Sequence, residues 1–204
     1  MPVGAGLPVG AHDSGREDSS ARMKPMNDVQ ESVPNARRTA EVSIRSAEPG
    51  DIGAVADLRW AWLTENGDAP VVGHEEFTAL FIAWAAANAG SHHCTVARRG
   101  DTVIGMAWLA VVPRVPSPRA PERASGDVQC VYVVPAERNS GIGGRILRSV
   151  LGRAGDLGLE RVTVHSSPDA VTAYERAGFA ASERLLQAGP QPSAGPRPSG
   201  RLTA

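Results

Sequence analysis

The chain has 204 residues, 42% of them hydrophobic, and a formal net charge of −1. That suffices for one packed domain with tails, offers no basic surplus for nucleic acid, and contains no apolar run approaching the roughly 18–20 residues of a membrane span. The N-terminus lacks the basic start and apolar block of a secretory signal, so a cytoplasmic protein is expected. Cys94 and Cys130 both fall in expected strands. They offer no metal-ligand spacing and read as buried, reduced thiols.

Residues 1–40 are rich in Gly, Pro, Ser, Asp and Arg without periodicity and read as a disordered tail. Residues 41–47 alternate and suit a first strand. Asp51 is placed as a helix N-cap. Ile52, Val55, Ala56, Arg59, Trp62 and Leu63 then recur at helical spacing, with a stop at Asn66-Gly67. A second helix is expected from about Glu75 to Ala89, with Phe77, Leu80, Phe81, Trp84 and Ala85 as its apolar stripe. Trp84 and Trp108 read as core. Trp60 and Trp62 cannot share one helix face, which leaves a substrate-facing role open beside a core one.

Residues 92–98 and 102–112 read as two strands joined by the turn Arg99-Gly100-Asp101. His92 and His93, adjacent on a strand, point to opposite faces and do not chelate a metal together. Residues 113–126 hold four prolines and three arginines and read as a stiffened loop, either an ordinary connection or one on the substrate side.

The most informative stretch is 127–145. Residues 128–134 suit a strand buried on both faces, and Pro135 ends it. Ser140, Gly141, Gly143 and Gly144 make a small-residue turn. Ile142, Ile146, Leu147, Val150, Leu151 and Ala154 follow at helical spacing. Such a turn gathers free backbone N–H groups at one point and suits a phosphate or pyrophosphate. The dinucleotide fingerprint fails for want of a third glycine, since Ile146 stands there. The P-loop fails because the only lysine is Lys24. Beyond it, Arg161–His165 alternate, Ser167-Pro168 reads as a helix start, Gly178 as a C-cap, and Phe179–Gln187 as a last strand. From Ala188 to residue 204 the chain reads as a second disordered tail.

The expected order is β-α-α-β-β-β-α-β-α-β, an α/β arrangement around one mixed sheet. Arg138-x-x-Gly141-x-Gly143, after a Val-Pro strand end, resembles the acetyl-CoA motif of the GCN5-related N-acetyltransferases, the GNAT superfamily. Ala170 to Phe179, with Tyr174-Glu175 and Gly178-Phe179, is similar to a second landmark of that family. The resemblance covers about residues 41–187.

The resemblance implies an acetyl-CoA-dependent N-acetyltransferase in which a primary amine of a small molecule or peptide attacks the thioester directly. It implies that the pantetheine lies along Val131, Tyr132 and Val133. The pyrophosphate would be held by N–H groups across Arg138, Asn139, Ser140, Gly141, Ile142, Gly143 and Gly144. Tyr174 corresponds to the acid that protonates the departing thiolate. Asp127 is a candidate base, expected on the same strand face as Gln129, Val131 and Val133; His165 and ordered water are rivals. Ser167 stands where many members carry an Asn that touches the cofactor. No metal is implied. Dimers are common in the family, which leaves a homodimer open. A GNAT-like module that binds acyl-CoA without turnover is the competing reading.

Overall fold

The computed structural model describes residues 40–189. The tails expected over 1–40 and 188–204 lie outside the described residues apart from their inner ends.

Among the described residues, five strands form one sheet in the order β1 (Val42–Ser46), β2 (His92–Arg99), β3 (Thr102–Pro113), β4 (Ala124–Val133) and β5 (Val162–Val164). All neighbours run antiparallel except β4 and β5, which run parallel. β3 is central, and Val103 to Ala110 are all buried, as the unbroken apolar run Val-Ile-Gly-Met-Ala-Trp-Leu-Ala requires. Helices α1 (Ile52–Glu65) and α2 (His74–Ala87) cover one face; α3 (Ile142–Asp156) and α4 (Val171–Ala177) cover the other.

α3 buries Ile142, Ile146, Leu147, Val150 and Ala154 against Ala107, Leu109 and Val128. Each large aliphatic side chain there contributes about 1.5–3 kcal/mol. On the opposite face Val55 and Leu58 of α1 and Ala85 of α2 pack on Val96, Met106, Trp108 and Tyr132. α2 aligns Phe77, Phe81 and Trp84 in a tilted series, with Trp84 and Trp108 ring centroids 5.3 Å apart. Trp108 is core, as expected, whereas Trp84 is 40% exposed. Trp60 stacks on His74 and Phe77 at 4.9 and 5.7 Å and so fastens α1 to α2. Trp62 lies under the Arg59 guanidinium at 4.1 Å.

The Asp51 side chain does not cap α1; it completes a capping box on the 3₁₀ turn Pro49–Asp51. It is buried, and accepts from Arg45 at 2.6 Å, Arg98 at 3.1 Å and the Glu48 N–H at 2.8 Å. Burial pushes its carboxyl up, but the bonds from Arg45 and Glu48 prevail and hold it below the usual carboxylate range.

Three further expectations are corrected. Residues 179–187 form no strand. Their Ala, Ser, Glu and Gln residues are weak strand formers, and the adjacent Leu185-Leu186 break the alternation. β5 is therefore the edge of the sheet among the described residues. β4 starts at Ala124, inside the expected loop. Gly126 is a packing glycine there, since a Cβ would sit 2.8 Å from Leu109 Cδ1. The third correction concerns Cys130, which is exposed rather than buried.

Candidate active site

The site begins with a fault in β4. Cys130 has φ +53°, and the β3–β4 register shifts between Met106 and Trp108. This is a β-bulge, one extra residue in β4. An inserted residue reverses the side-chain parity downstream of it. Val128, Val131 and Val133 consequently all pack toward α3, while Tyr132 packs toward α1. Asp127 and Gln129, alternating with Val128, lie on the α1 face. Asp127 therefore does not share a face with Val131 and Val133.

The bulge also parts the strands. β4 pairs with β5 only through Gly126, Asp127 and Val128. Beyond Val128 the β5 side of β4 has no strand against it. The Val134 N–H donates to Ile104 O at 3.0 Å, and alternation then turns the N–H and C=O of Val133 and Val131 outward. The wedge so opened has a main-chain edge along one wall, the feature that lets an extended ligand bond like another strand.

At the top of the wedge the chain passes through a 3₁₀ turn, Pro135–Glu137, into α3. The turn is fixed from below. Arg99 donates twice to Glu137, both at 2.8 Å, Ser140 Oγ donates to Glu137 O at 2.5 Å, and Arg145 donates to Val42 O at 2.8 Å. Asn139 at φ +61° and Gly141 at φ +81° take left-handed conformations, which curl successive N–H groups toward a common centre.

Among the described residues, the N–H groups of Asn139, Ser140, Gly141, Ile142, Gly143 and Gly144 have no hydrogen-bond partner; the first helical bond is Arg145 N–H to Gly141 O at 3.1 Å. The Arg138 N–H differs, since it donates to Pro135 O at 3.2 Å. Nothing in the protein requires glycine at two of these positions. A Cβ on Gly143 would meet only Val133 Cγ2 at 3.9 Å, and one on Gly144 only Arg148 Nη1 at 3.5 Å. Glycine in a helix costs about 1 kcal/mol relative to alanine. Bare backbone at both places suits an anion that must approach the main chain closely, aided by the positive end of α3.

Three participants were not singled out from sequence. Arg148 lies one helical turn after Gly144 and has no ion-pair partner among the described residues, so it can supply a cation at the cradle. Its i, i+4 spacing from Gly144 is the signal that could have found it. Glu65, at the end of α1, accepts from the Tyr132 hydroxyl at 2.5 Å and from Arg138 Nη2 at 2.7 Å. These bonds hold its carboxyl below the usual range. Burial, and then the bond to Glu65, push the Tyr132 phenol up to about 12. Arg138 also donates from Nε to Val133 O at 2.9 Å, so its side chain covers one outward carbonyl of the wedge. The third participant is the Cys130 bulge, invisible in a strand-like run of residues.

Tyr174, on α4, packs against the same cluster as Val131, Val133 and Val164, edge-on to Phe179 at 5.5 Å. Its hydroxyl has no partner among the described residues, and burial raises its pKa. It lines a cavity of about 420 Å³ with Val164, Ser166 and Val171. Asp127 is half-buried and accepts from Gln129 at 2.9 Å and Thr163 at 3.3 Å. Tyr174 and Asp127 thus stand on opposite faces of the sheet. His165 is exposed just beyond β5, and Ser167 precedes Pro168 without a side-chain cap bond. Residues 114–123 are tied by Arg114 and Arg123 to Glu160, at the end of the sheet away from Gly141. Among the described residues there is no cluster of metal-binding side chains, and no helix is long and apolar enough to cross a membrane.

Comparison with known proteins agrees with this geometry. A predicted acetyltransferase from Clostridium acetobutylicum, solved with acetyl-CoA, has TM-score 0.60 at 21% identity, covering 73% of this chain and 96% of that one. A GCN5-related N-acetyltransferase from Ralstonia eutropha JMP134 has TM-score 0.57 at 21% identity, covering 72% and 98%. Glucosamine-6-phosphate N-acetyltransferase from Arabidopsis thaliana has TM-score 0.56 at 14% identity, covering 73% and 98%. No curated protein matches the chain. These likenesses establish the fold. The model of the Acetyltransferase (GNAT) family matches residues 54–179, from α1 to the residue after Gly178. The chain belongs to the GNAT acetyltransferase family.

Proposed function

We propose that this acetyltransferase moves the acetyl group of acetyl-CoA to a primary amine by direct attack, with Tyr174 as acid and Asp127 as base. The observation that carries the reading is the row of unpartnered N–H groups from Asn139 to Gly144, set over a bulged strand whose outward edge is open. The diphosphate of the co-substrate is a match for that cradle in charge and reach. Arg148 adds a cation beside Gly144. Val131 and Val133 offer main-chain groups to the pantetheine, and Arg138 must yield Val133 O for a full set.

The co-substrate supplies an activated acyl group on sulfur. A neutral amine nitrogen forms a bond to the carbonyl carbon, and the carbon–sulfur bond breaks. The amine proton leaves toward Asp127, and the thiolate takes the Tyr174 phenolic proton. A free thiol sits near pKa 8.5 and a phenol near 10, so this transfer has little mismatch. The opposite placement of the two groups suits amine entry from the α1 face and thiol departure on the α4 face. Asp127 and Glu65, both on the α1 side, favour a cationic acceptor.

Thiol release from acetyl-CoA across a panel of small and peptide amines tests the reading, with Tyr174→Phe as control. Release above background that falls in the variant is expected. Tight acetyl-CoA binding with no release for any amine contradicts the reading and favours a non-catalytic acyl-CoA module.

A further inference from the structure

A second cavity lies away from the wedge. β1 enters the sheet beside the glycine turn, where Val42 O receives Arg145, and leaves it at Ser46. Ser46 and Ala47 there border a cavity of about 380 Å³, closed by α2, the start of β2 and the end of α3. That volume lies within the range of small-molecule sites. Its body is apolar, with Ile52, Ile82, Ala85 and the Trp108 ring on its walls. The acetyl-transfer reading uses none of these residues.

The polar groups of this cavity are unequal. Glu48 is its anion and is already faced by Arg45 at 3.5 Å. Arg153, exposed at the end of α3, is its cation and has no ion-pair or hydrogen-bond partner among the described residues. His92 is engaged with Ser91 Oγ at 3.0 Å. Burial, and then Arg153 and His92, lower the pKa of His93, which leaves it neutral near pH 7. The Trp108 indole N–H is buried and without a partner. An apolar chamber with an unpartnered arginine at its rim, its one carboxylate drawn toward Arg45, suits an apolar body carrying one negative charge.

From this arrangement we infer that the cavity between β1, α2 and α3 binds a small apolar carboxylic acid, its carboxylate on Arg153 and its body among Ile52, Ile82 and Trp108. The site is separate from the glycine turn, so the acid and acetyl-CoA bind together. The inference stands whether or not the amine acceptor is as proposed above.

Calorimetry on the full chain with phenylacetate, phenylacetamide and phenethylamine tests this. These probes share a ring and differ in charge. Phenylacetate is expected to bind one site, about tenfold more tightly than the amide, with the amine weaker still. Saturating acetyl-CoA should leave that affinity unchanged. Arg153→Gln should bring phenylacetate down to the level of the amide, and Ala86→Trp, at the cavity mouth, should weaken both. No saturable phenylacetate binding, equal binding of the three probes, or displacement by acetyl-CoA overturns the inference. Should Arg153→Gln fold poorly, the ranking of the probes on the unaltered chain decides by itself.

Discussion

The Tyr132 hydroxyl donates to Glu65 at 2.5 Å, joining β4 to the last turn of α1. The same carboxylate holds Arg138, and Arg138 holds Val133 O. One side chain at the end of α1 thus positions two residues at the head of the wedge.

The chain has two tyrosines, Tyr132 and Tyr174, so a spectrophotometric tyrosinate titration resolves both. Glu65→Gln removes the negative charge beside Tyr132 but keeps an acceptor. The Tyr132 transition, pushed up to about 12, should move down toward the ordinary phenol value, and the Tyr174 transition should stay. A Tyr132 transition that does not move would show that burial alone sets it.

The same substitution should tighten acetyl-CoA binding. A guanidinium released from Glu65 no longer covers Val133 O and is free to face phosphate. An increase of about a few-fold in affinity is expected, the small effect of losing one exposed ion pair. Weaker binding in Glu65→Gln, with the fold intact by circular dichroism, would mean that the latched position of Arg138 is the productive one.

Tyr174→Phe should lower kcat by about a hundredfold, the usual contribution of a placed acid, with little change in acetyl-CoA affinity. Burial raises the Tyr174 pKa, so the phenol stays protonated through neutral pH and loses its proton only in the alkaline range. The alkaline fall in kcat should therefore disappear in the variant. Equal loss in kcat and in acetyl-CoA affinity would assign the ring to packing.

Asp51 makes a prediction about the fold itself. Its folded pKa lies below the unfolded value. Its contribution is therefore complete above the unfolded carboxylate pKa and is lost as pH falls through the folded one. Asp51→Ala leaves Arg45 and Arg98 without it and should cost about 3 kcal/mol in chemical unfolding near pH 7. The gap from the parent protein should narrow in acid. A gap independent of pH would rule out the ionic contribution.

The sheet order through α4, the paired first helices and the glycine turn were legible because each has a local cause. Strand β3 announces itself by an unbroken apolar run, and α3 by six apolar residues at helical spacing. What was not legible depends on contacts between distant segments. The bulge at Cys130 comes from pairing with β3, and nothing in Gln129-Cys130-Val131 marks an extra residue. Parity read straight through that point put Asp127 on the wrong face. Glu65 meets Arg138 across 73 positions of sequence. The terminal strand failed for a different reason. Phe179 to Gln187, expected as a last strand, hold residues that favour neither alternation nor burial.

Gly143→Val is the most direct test of the account. A Cβ at this position meets only Val133 Cγ2 at 3.9 Å, so the fold should be retained, which circular dichroism of the variant checks. Calorimetric titration of both proteins with acetyl-CoA should then show binding by the parent and a loss of about a hundredfold in the variant, as expected when two or more charge-assisted bonds are blocked. Equal affinities in the two proteins would contradict the placement of the diphosphate on the amides of Asn139 to Gly144.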